Sequence, residues 1–355
     1  MRILARLLWV LVLAVPLRSF ADPNDLVLSR LGECFTGDQP HACFDPNAAT
    51  PEDRLARQVI PQNQLFRSLM SELGVVMAPK FLSPADTLGY SGFQFSTELS
   101  FTTINKNSKY WCATEESGTC DNVAGKSSNK GSGVLQTVGI IARKGIWLPL
   151  PSFEVGAGAL YLMYSRMWAA QAFGKLALHE GFHDWPIPSL AVRGGVSHLL
   201  GSEQIQLVVA SLDVSISKAF GVVGTFSLEP YVGWNYLWII PRSEVIDKTP
   251  NVDAYAEETK PLPASEMRLD DHSLNFVFGK QQSITRGRFF GGIKFKYYVF
   301  AMTAEVNIAQ AGNSVDELSN VGTCDRAAAY MQNRCDAKDQ SGVQQTYALS
   351  ASLDF

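Results

Sequence analysis

Phe93-Gln94-Phe95-Ser96-Thr97-Glu98-Leu99-Ser100-Phe101-Thr102 decides the fold. Phe93, Phe95, Thr97, Leu99 and Phe101 alternate with Gln94, Ser96, Glu98, Ser100 and Thr102. Successive side chains of a strand point to opposite faces, so this segment has one greasy and one polar side. The period of two returns at Phe226, Leu228, Val232, Trp234, Tyr236 and Trp238, and again at Tyr347, Leu349, Ala351, Leu353 and Phe355.

Working outward, the same reading predicts strands over 134–145, 152–165, 168–180, 189–200, 204–218, 272–281 and 287–309. The stretch 204–218 changes phase near Val209, which predicts a bulge there. The stretch 287–309 reads as one long strand or as two with a turn near Tyr297. One strand keeps the count even and both chain ends on one side. The expectation is an all-β, antiparallel transmembrane β-barrel of roughly ten strands, within about 8–14, with a short helical N-terminal segment. Long polar connections at 105–133, 241–271 and 310–343 would face outward from the cell. Short ones near Trp147-Leu148-Pro149, Trp185-Pro186, Phe220-Gly221 and Gln282-Ser283 would face the periplasm.

Composition agrees. The 355 residues are 46% hydrophobic and only 18% charged, against nearer a quarter charged in an ordinary soluble domain. No apolar run of about 18 follows the N-terminus, which excludes a polytopic helical membrane protein. Arg2 and Arg6, the apolar Leu7–Val15, and Ser19-Phe20-Ala21 read as a signal peptide over 1–21, cleaved before Asp22. Three of the 30 basic residues (Arg2, Arg6, Arg18) leave with it, so 27 face 34 acids and the mature net charge is −7. A nucleic-acid partner is therefore not expected.

Residues 22–90 form a distinct N-terminal segment of helices and loops, expected to plug the lumen or cap its periplasmic mouth. Thr50-Pro51-Glu52-Asp53 resembles a helix start. Gln64–Leu73 predicts a helix with Leu65, Phe66, Leu69, Met70 and Leu73 on one face, and Pro79 and Pro84 end regular structure. The barrel would then occupy 91–355. The cysteines fall into three close pairs, Cys34 with Cys43, Cys112 with Cys120, and Cys324 with Cys335. In an oxidising compartment these read as local disulfides, although spacing alone leaves other pairings open.

A soluble β-sandwich also alternates. What separates the barrel is the second face. Glu98, Glu154, Lys175, Arg193, Asp213, Glu229, Lys294 and Lys296 all fall on the proposed inner face, where both signs of charge would share a narrow lumen. Trp147, Trp168, Trp185, Trp234 and Trp238 lie at or near strand ends, as an aromatic girdle would.

The final strand, with Tyr347, Leu349, Leu353 and terminal Phe355, resembles the C-terminal assembly signal of Gram-negative outer-membrane β-barrel proteins. That resemblance implies outer-membrane lipid and the barrel-assembly machinery as partners. The helical segment followed by glycine-rich strands is also similar to the long-chain fatty-acid transporter family. That family has more strands, and no substrate-binding residue of it can be matched here. The function expected is a porin-like channel or transporter for small or hydrophobic molecules, selecting by lumen charge and plug, without covalent chemistry and without a cofactor.

Two other classes stay open. One is a non-conducting structural or adhesion barrel acting through stapled outer loops. The other is a secreted zinc metallohydrolase, because His179-Glu180-Gly181-Phe182-His183 fits H-E-x-x-H, in which a helix puts both imidazoles on one face. Gly181 and Pro186 oppose that helix. As strand residues, His179 and His183 would be too far apart to share a metal. His198 and His272 stand in no third-ligand motif, and Asp270-Asp271-His272 reads as a solvated loop.

Overall fold

The computed structural model describes residues 24–36, 39–40, 43, 58–114, 133–146, 152–180, 187–222, 226–248, 274–317 and 336–355. Ten strands form one closed antiparallel barrel: β1 (Phe93–Thr103), β2 (Val134–Ile146), β3 (Phe153–Leu162), β4 (Trp168–His179), β5 (Ser189–Leu200), β6 (Ile205–Ser217), β7 (Phe226–Ser243), β8 (Ile284–Tyr297), β9 (Phe300–Ala309) and β10 (Gln344–Asp354). Each strand pairs with its neighbours in sequence. The circle closes between β10 and β1, with Leu349 opposite Leu99 and Asp354 opposite Gln94. Among the described residues the ten-strand circle has no open edge, as a sheet in lipid requires. A short strand, Phe220–Val222, pairs with β7 alone, so the turn expected at Phe220-Gly221 is strand there.

The outward residues of the strands are apolar and exposed. Phe95, Ile140, Trp168, Leu212, Trp234, Phe289, Met302 and Leu349 belong to this band. A soluble protein would bury such side chains; here lipid receives them. No helix among the described residues is long and apolar enough to cross a membrane.

The count of ten holds, but two assignments inside it change. The segment 272–281 is not a barrel strand. Its described part makes one isolated bridge, Phe276 to Ile246, and Leu274, Phe276 and Phe278 are buried. Their alternation was real, but they pack into a cap and not a wall. The segment 287–309 is two strands, β8 and β9, joined at Tyr298-Val299, with Tyr297 opposite Phe300. Tyr298 takes the left-handed turn conformation at φ 51°, without the Asn-Gly or Asp-Gly pair that usually announces such a hairpin. The short turn of this hairpin therefore lies at Tyr298-Val299, not at Gln282-Ser283.

No bulge occurs at Val209. β6 alternates without a register shift against both neighbours. Ile205, Leu207 and Val209 point inward and are buried, so both faces of that strand are apolar and the pattern only looked shifted. The single irregularity in the barrel register among the described residues is at Ala177/His179 in β4.

The barrel has two unlike ends. Phe93 and Phe355 exchange backbone hydrogen bonds of 2.9 and 2.7 Å at one end, the chain end. At the other end, the loop end, lie the connections 104–133, 163–167, 201–204, 244–283 and 310–343. A small three-stranded sheet, Gly32–Thr36 with Gln39–Pro40 and Gln58–Pro61, caps the loop end. Cys34 and Cys43 staple it through a disulfide. Cys112 is also disulfide-bonded, whereas Cys120, Cys324 and Cys335 lie outside the described residues. So do Trp147, Trp185, His183, His272 and the helix start at Thr50.

Candidate functional site: the plugged lumen

The lumen is occupied by the chain itself. Helix α1 (Asn63–Met77) stands inside the loop-end half. It extends past the predicted Gln64–Leu73 at both ends. Phe66, Leu69, Met70 and Leu73 form one core with inward residues of the wall, among them Leu135, Leu162, Leu199, Leu207, Leu237 and Ile239. The fit is close: a Cβ on Gly74 would lie 2.6 Å from Ile239 Cγ2. Sequence placed the apolar face of α1 correctly, but Arg67 and Glu72 on its other side were missed.

Those two residues fasten α1 to the loop-end connections. The Glu72 carboxylate accepts hydrogen bonds from Tyr110 Oη (2.8 Å), Trp111 Nε1 (2.6 Å), Asn105 N (3.1 Å) and Gly342 N (3.2 Å). Tyr110 and Trp111 belong to a short helix, α2 (Lys109–Thr114), in the first long connection. Burial, and then the Glu72 charge, push the Tyr110 phenol well above its ordinary value. Arg67 donates to Gln281, the Gln282 carbonyl and Ser314. Arg286 donates to Ser71, Ser341 and two carbonyls.

After α1, residues 78–91 run extended down the lumen to the chain end and turn into β1. Here the wall is charged, and all eight charges expected from the strand pattern point inward. A run of cross-strand neighbours crosses six strands: Glu154 on β3, Lys175 on β4, Arg193 on β5, Asp213 on β6, Asn235 on β7 and Arg288 on β8. Arg193 Nε pairs with Asp213 at 2.9 Å, Lys175 with Glu154 at 3.2 Å and Arg143 with Glu98 at 3.7 Å. Lys294 and Lys296 both reach Asp354, at 3.1 and 3.2 Å. Glu229 accepts from Ser217.

The wall's polar side chains also hold the backbone of the threaded segment. Ser197 donates to the Met77 carbonyl, Arg288 to Pro79, Arg143 to Phe81, and Lys175 to Pro84 and Asp86. Arg193 donates to Ser83 Oγ and lies 4.1 Å from the centre of the Phe81 ring. Phe81 rests where Gly195 leaves room, since a Cβ there would lie 2.5 Å from its Cζ. Hydrogen bonds from charged donors are worth about 1.5–3 kcal/mol each when buried. Of the eight expected charges, Lys175, Arg193 and Glu154 contact the threaded segment, and the other five face neighbouring wall side chains.

The strand pattern could have yielded Arg143 and Asp354, which share the inner phase of β2 and β10. Arg288 and Glu305 were lost with the wrong division of 287–309. The carbonyls have no sequence signature at all.

His179 is the last residue of β4, so the helix needed to align it with His183 is absent there. Glu180 is buried and accepts from the Thr87 N–H (2.8 Å), the Thr87 hydroxyl and Ser152 Oγ (2.9 Å). It fastens the chain-end exit of the plug. No group of three or more His, Cys, Asp or Glu side chains among the described residues is arranged to hold a metal ion. Tyr347, Leu349, Leu353 and Phe355 all lie on the lipid-facing side of the closing strand. Between plug and wall at the chain end is a polar cavity of about 200 Å³, lined in part by Asp86, Glu154, Glu229, Lys294 and Asp354.

Fold and lumen together define the class: an antiparallel, up-and-down transmembrane β-barrel of ten strands, closed by its own N-terminal segment. No protein-family model and no curated protein sequence matches the chain. Among solved structures, it is similar to the attachment invasion locus protein Ail of Yersinia pestis (10% identity, TM-score 0.24, 75% of this chain and 99% of that one). It is similar to the transport unit of the autotransporter AIDA-I from Escherichia coli (9%, 0.31, 84% and 100%) and to an outer membrane channel from Pseudomonas putida F1 (8%, 0.34, 78% and 99%). At these scores the likeness adds nothing to the strand order and apolar band, which establish the fold themselves. The similarity to long-chain fatty-acid transporters is not confirmed by these comparisons.

Proposed function

We propose that the protein is an outer-membrane barrel that is non-conducting as folded and acts through its loop-end surface, as a structural or adhesive element without covalent chemistry. One observation carries this reading: the segment 63–88 fills the lumen, with α1 in an apolar core and wall side chains donating to the last carbonyl of α1 and to four carbonyls of the extended part. Wall side chains pack directly against the segment, Ile239 at Gly74 and Gly195 at Phe81, so the fixed peptide occupies the path through the barrel. The outer-membrane location rests on the closed barrel and its apolar outer band. Lipid is then the outward partner, and the barrel-assembly machinery the folding partner.

The test is conductance of the refolded, full-length protein in planar bilayers. Silence across ±150 mV (about that range) is expected. Stable, reproducible conductance steps would overturn the reading.

A gated transporter is the second reading, favoured by the polar cavity at the chain end, where a small polar solute could lodge before the plug moved. For a small hydrophobic ligand, the alternative expected from sequence, this cavity offers the wrong chemistry. Conductance of the unaltered protein that appears only when a small polar solute is added would favour this second reading.

A further inference from the structure

We infer that the described N-terminal residues, 24–36 and 58–61, lie on the outer surface of the cell, so that the chain enters its own barrel from outside and β1 starts from the periplasmic side. The inference rests on the outer-membrane reading above and adds to it the location of the N-terminus.

The contacts of the first described residues fix the end of the barrel at which they lie. Asn24 N donates to the Tyr164 carbonyl at 2.9 Å, and Asn24 Nδ2 to Met163 at 2.7 Å. Asp25 pairs with Arg166. These partners form the β3–β4 connection at the loop end. Val27 N donates to Thr114 of α2, and Lys248 Nζ to the Ser29 carbonyl. Both partners again belong to loop-end connections. From there the chain descends through the lumen, passing Arg286, Arg288, Arg193 and Lys175 in turn, and reaches Gly89 beside Gly145 and Gly92 at the chain end.

The two ends differ in the way that distinguishes the two sides of an outer membrane. Transmembrane barrels place their long connections outside and their short turns in the periplasm. The 30-residue-class connections are all at the end where Asn24 sits, and the tight Tyr298-Val299 turn is at the other. An N-terminal segment that had stayed in the periplasm would instead contact the chain end.

The arrangement also fixes an order of events. The cap is a three-stranded sheet closed by Cys34–Cys43, wider than one extended chain. Around Phe81 the wall already touches the single chain it encloses. The folded cap therefore cannot pass through the finished barrel, and residues 24–61 must cross before the cap folds or the barrel closes.

The test places one epitope tag after Asp22 and, in a separate full-length protein, the same tag within 249–273. Both are expressed in a Gram-negative host, with correct folding checked by heat-modifiable gel mobility. Antibody labelling is compared on intact and permeabilised cells. We expect both tags to label intact cells, with an intact-to-permeabilised ratio near one. Labelling of the 249–273 tag on intact cells, with the N-terminal tag visible only after permeabilisation, would overturn the inference and leave the outer-membrane reading standing. Failure of both tags on intact cells would sink the outer-membrane orientation and the inference with it.

Discussion

The two halves of the lumen are built on opposite principles. In the loop-end half, α1 meets Leu135, Leu199, Leu207 and Leu237 in a dry apolar core like that of a soluble protein. In the chain-end half, the same barrel wall turns polar, and Lys175, Arg193, Asp213 and Arg288 surround an extended chain. Helix backbone satisfies its own hydrogen bonds, so the interior of α1 needs no donors from the wall, and its polar contacts run through the side chains of Arg67, Ser71 and Glu72. Extended backbone offers bare carbonyls, and a buried carbonyl without a donor costs free energy. The charged half of the wall supplies those donors. The lumen therefore changes chemistry at the level where the plug changes secondary structure.

This contrast can be broken one half at a time. The largest effect is expected in the charged half. Arg193→Met removes the cation 2.9 Å from buried Asp213 and frees Ser83 and Phe81. Loss of one partner of a buried pair costs about 3–5 kcal/mol. The urea midpoint, read by gel mobility of the folded form, should fall accordingly, and the double variant Arg193→Met/Asp213→Leu should recover part of it. No recovery would mean that Arg193 acts through Ser83 and Phe81 and not through charge pairing.

In the apolar half, Leu73→Ala should cost about 2–5 kcal/mol by leaving a cavity. It should leave the bilayer silent, because the chain-end half still grips residues 79–86. Lys175→Ala should do the reverse. Its stability loss should be smaller than that of Arg193→Met, because Glu154 keeps the Leu88 N–H as a donor, but it releases the Pro84 and Asp86 carbonyls. Transient openings in planar bilayers are expected for Lys175→Ala and not for Leu73→Ala. Equal leak from both would erase the distinction between the halves.

The smallest effect concerns the fastening of α1. Tyr110→Phe removes one of four donors to Glu72, a loss of about 1.5 kcal/mol for a hydrogen bond to a charged acceptor. The folded phenol is held neutral above its usual range. Its contribution is therefore complete below about pH 10, where an unfolded tyrosine is still neutral, and falls as pH rises beyond that. The variant should lose part of this alkaline destabilisation, measurable as a shallower decline of the urea midpoint between about pH 9.5 and 11.

How much of this was legible in the sequence follows the same division. The eight inner charges from Glu98 to Lys296 were readable because a period of two marks the face whatever the side chain does there. The apolar half of the lumen misled the same rule. Ile205, Leu207 and Val209 made β6 greasy on both faces and imitated a bulge. Leu274, Phe276 and Phe278 imitated a strand because a cap can use alternation as well as a sheet can. The turn at Tyr298-Val299 carried no glycine, proline or asparagine, so β8 and β9 merged. The two errors cancelled in the strand count. The grip of Arg143, Lys175 and Arg288 on backbone carbonyls was not readable, because an acceptor present in every residue leaves no mark in any one of them.

The central claim, that residues 63–88 fill the lumen, is tested most directly at Ser83, buried at mid-lumen against Arg193. A Ser83→Cys variant, refolded in detergent, is treated with a small charged maleimide, with exposed Val343→Cys as the positive control. The predicted result is no labelling at position 83 while the protein is folded, full labelling in urea, and rapid labelling at position 343 throughout. Labelling of folded Ser83→Cys at the rate of Val343→Cys would show an open, solvent-filled lumen and contradict the account.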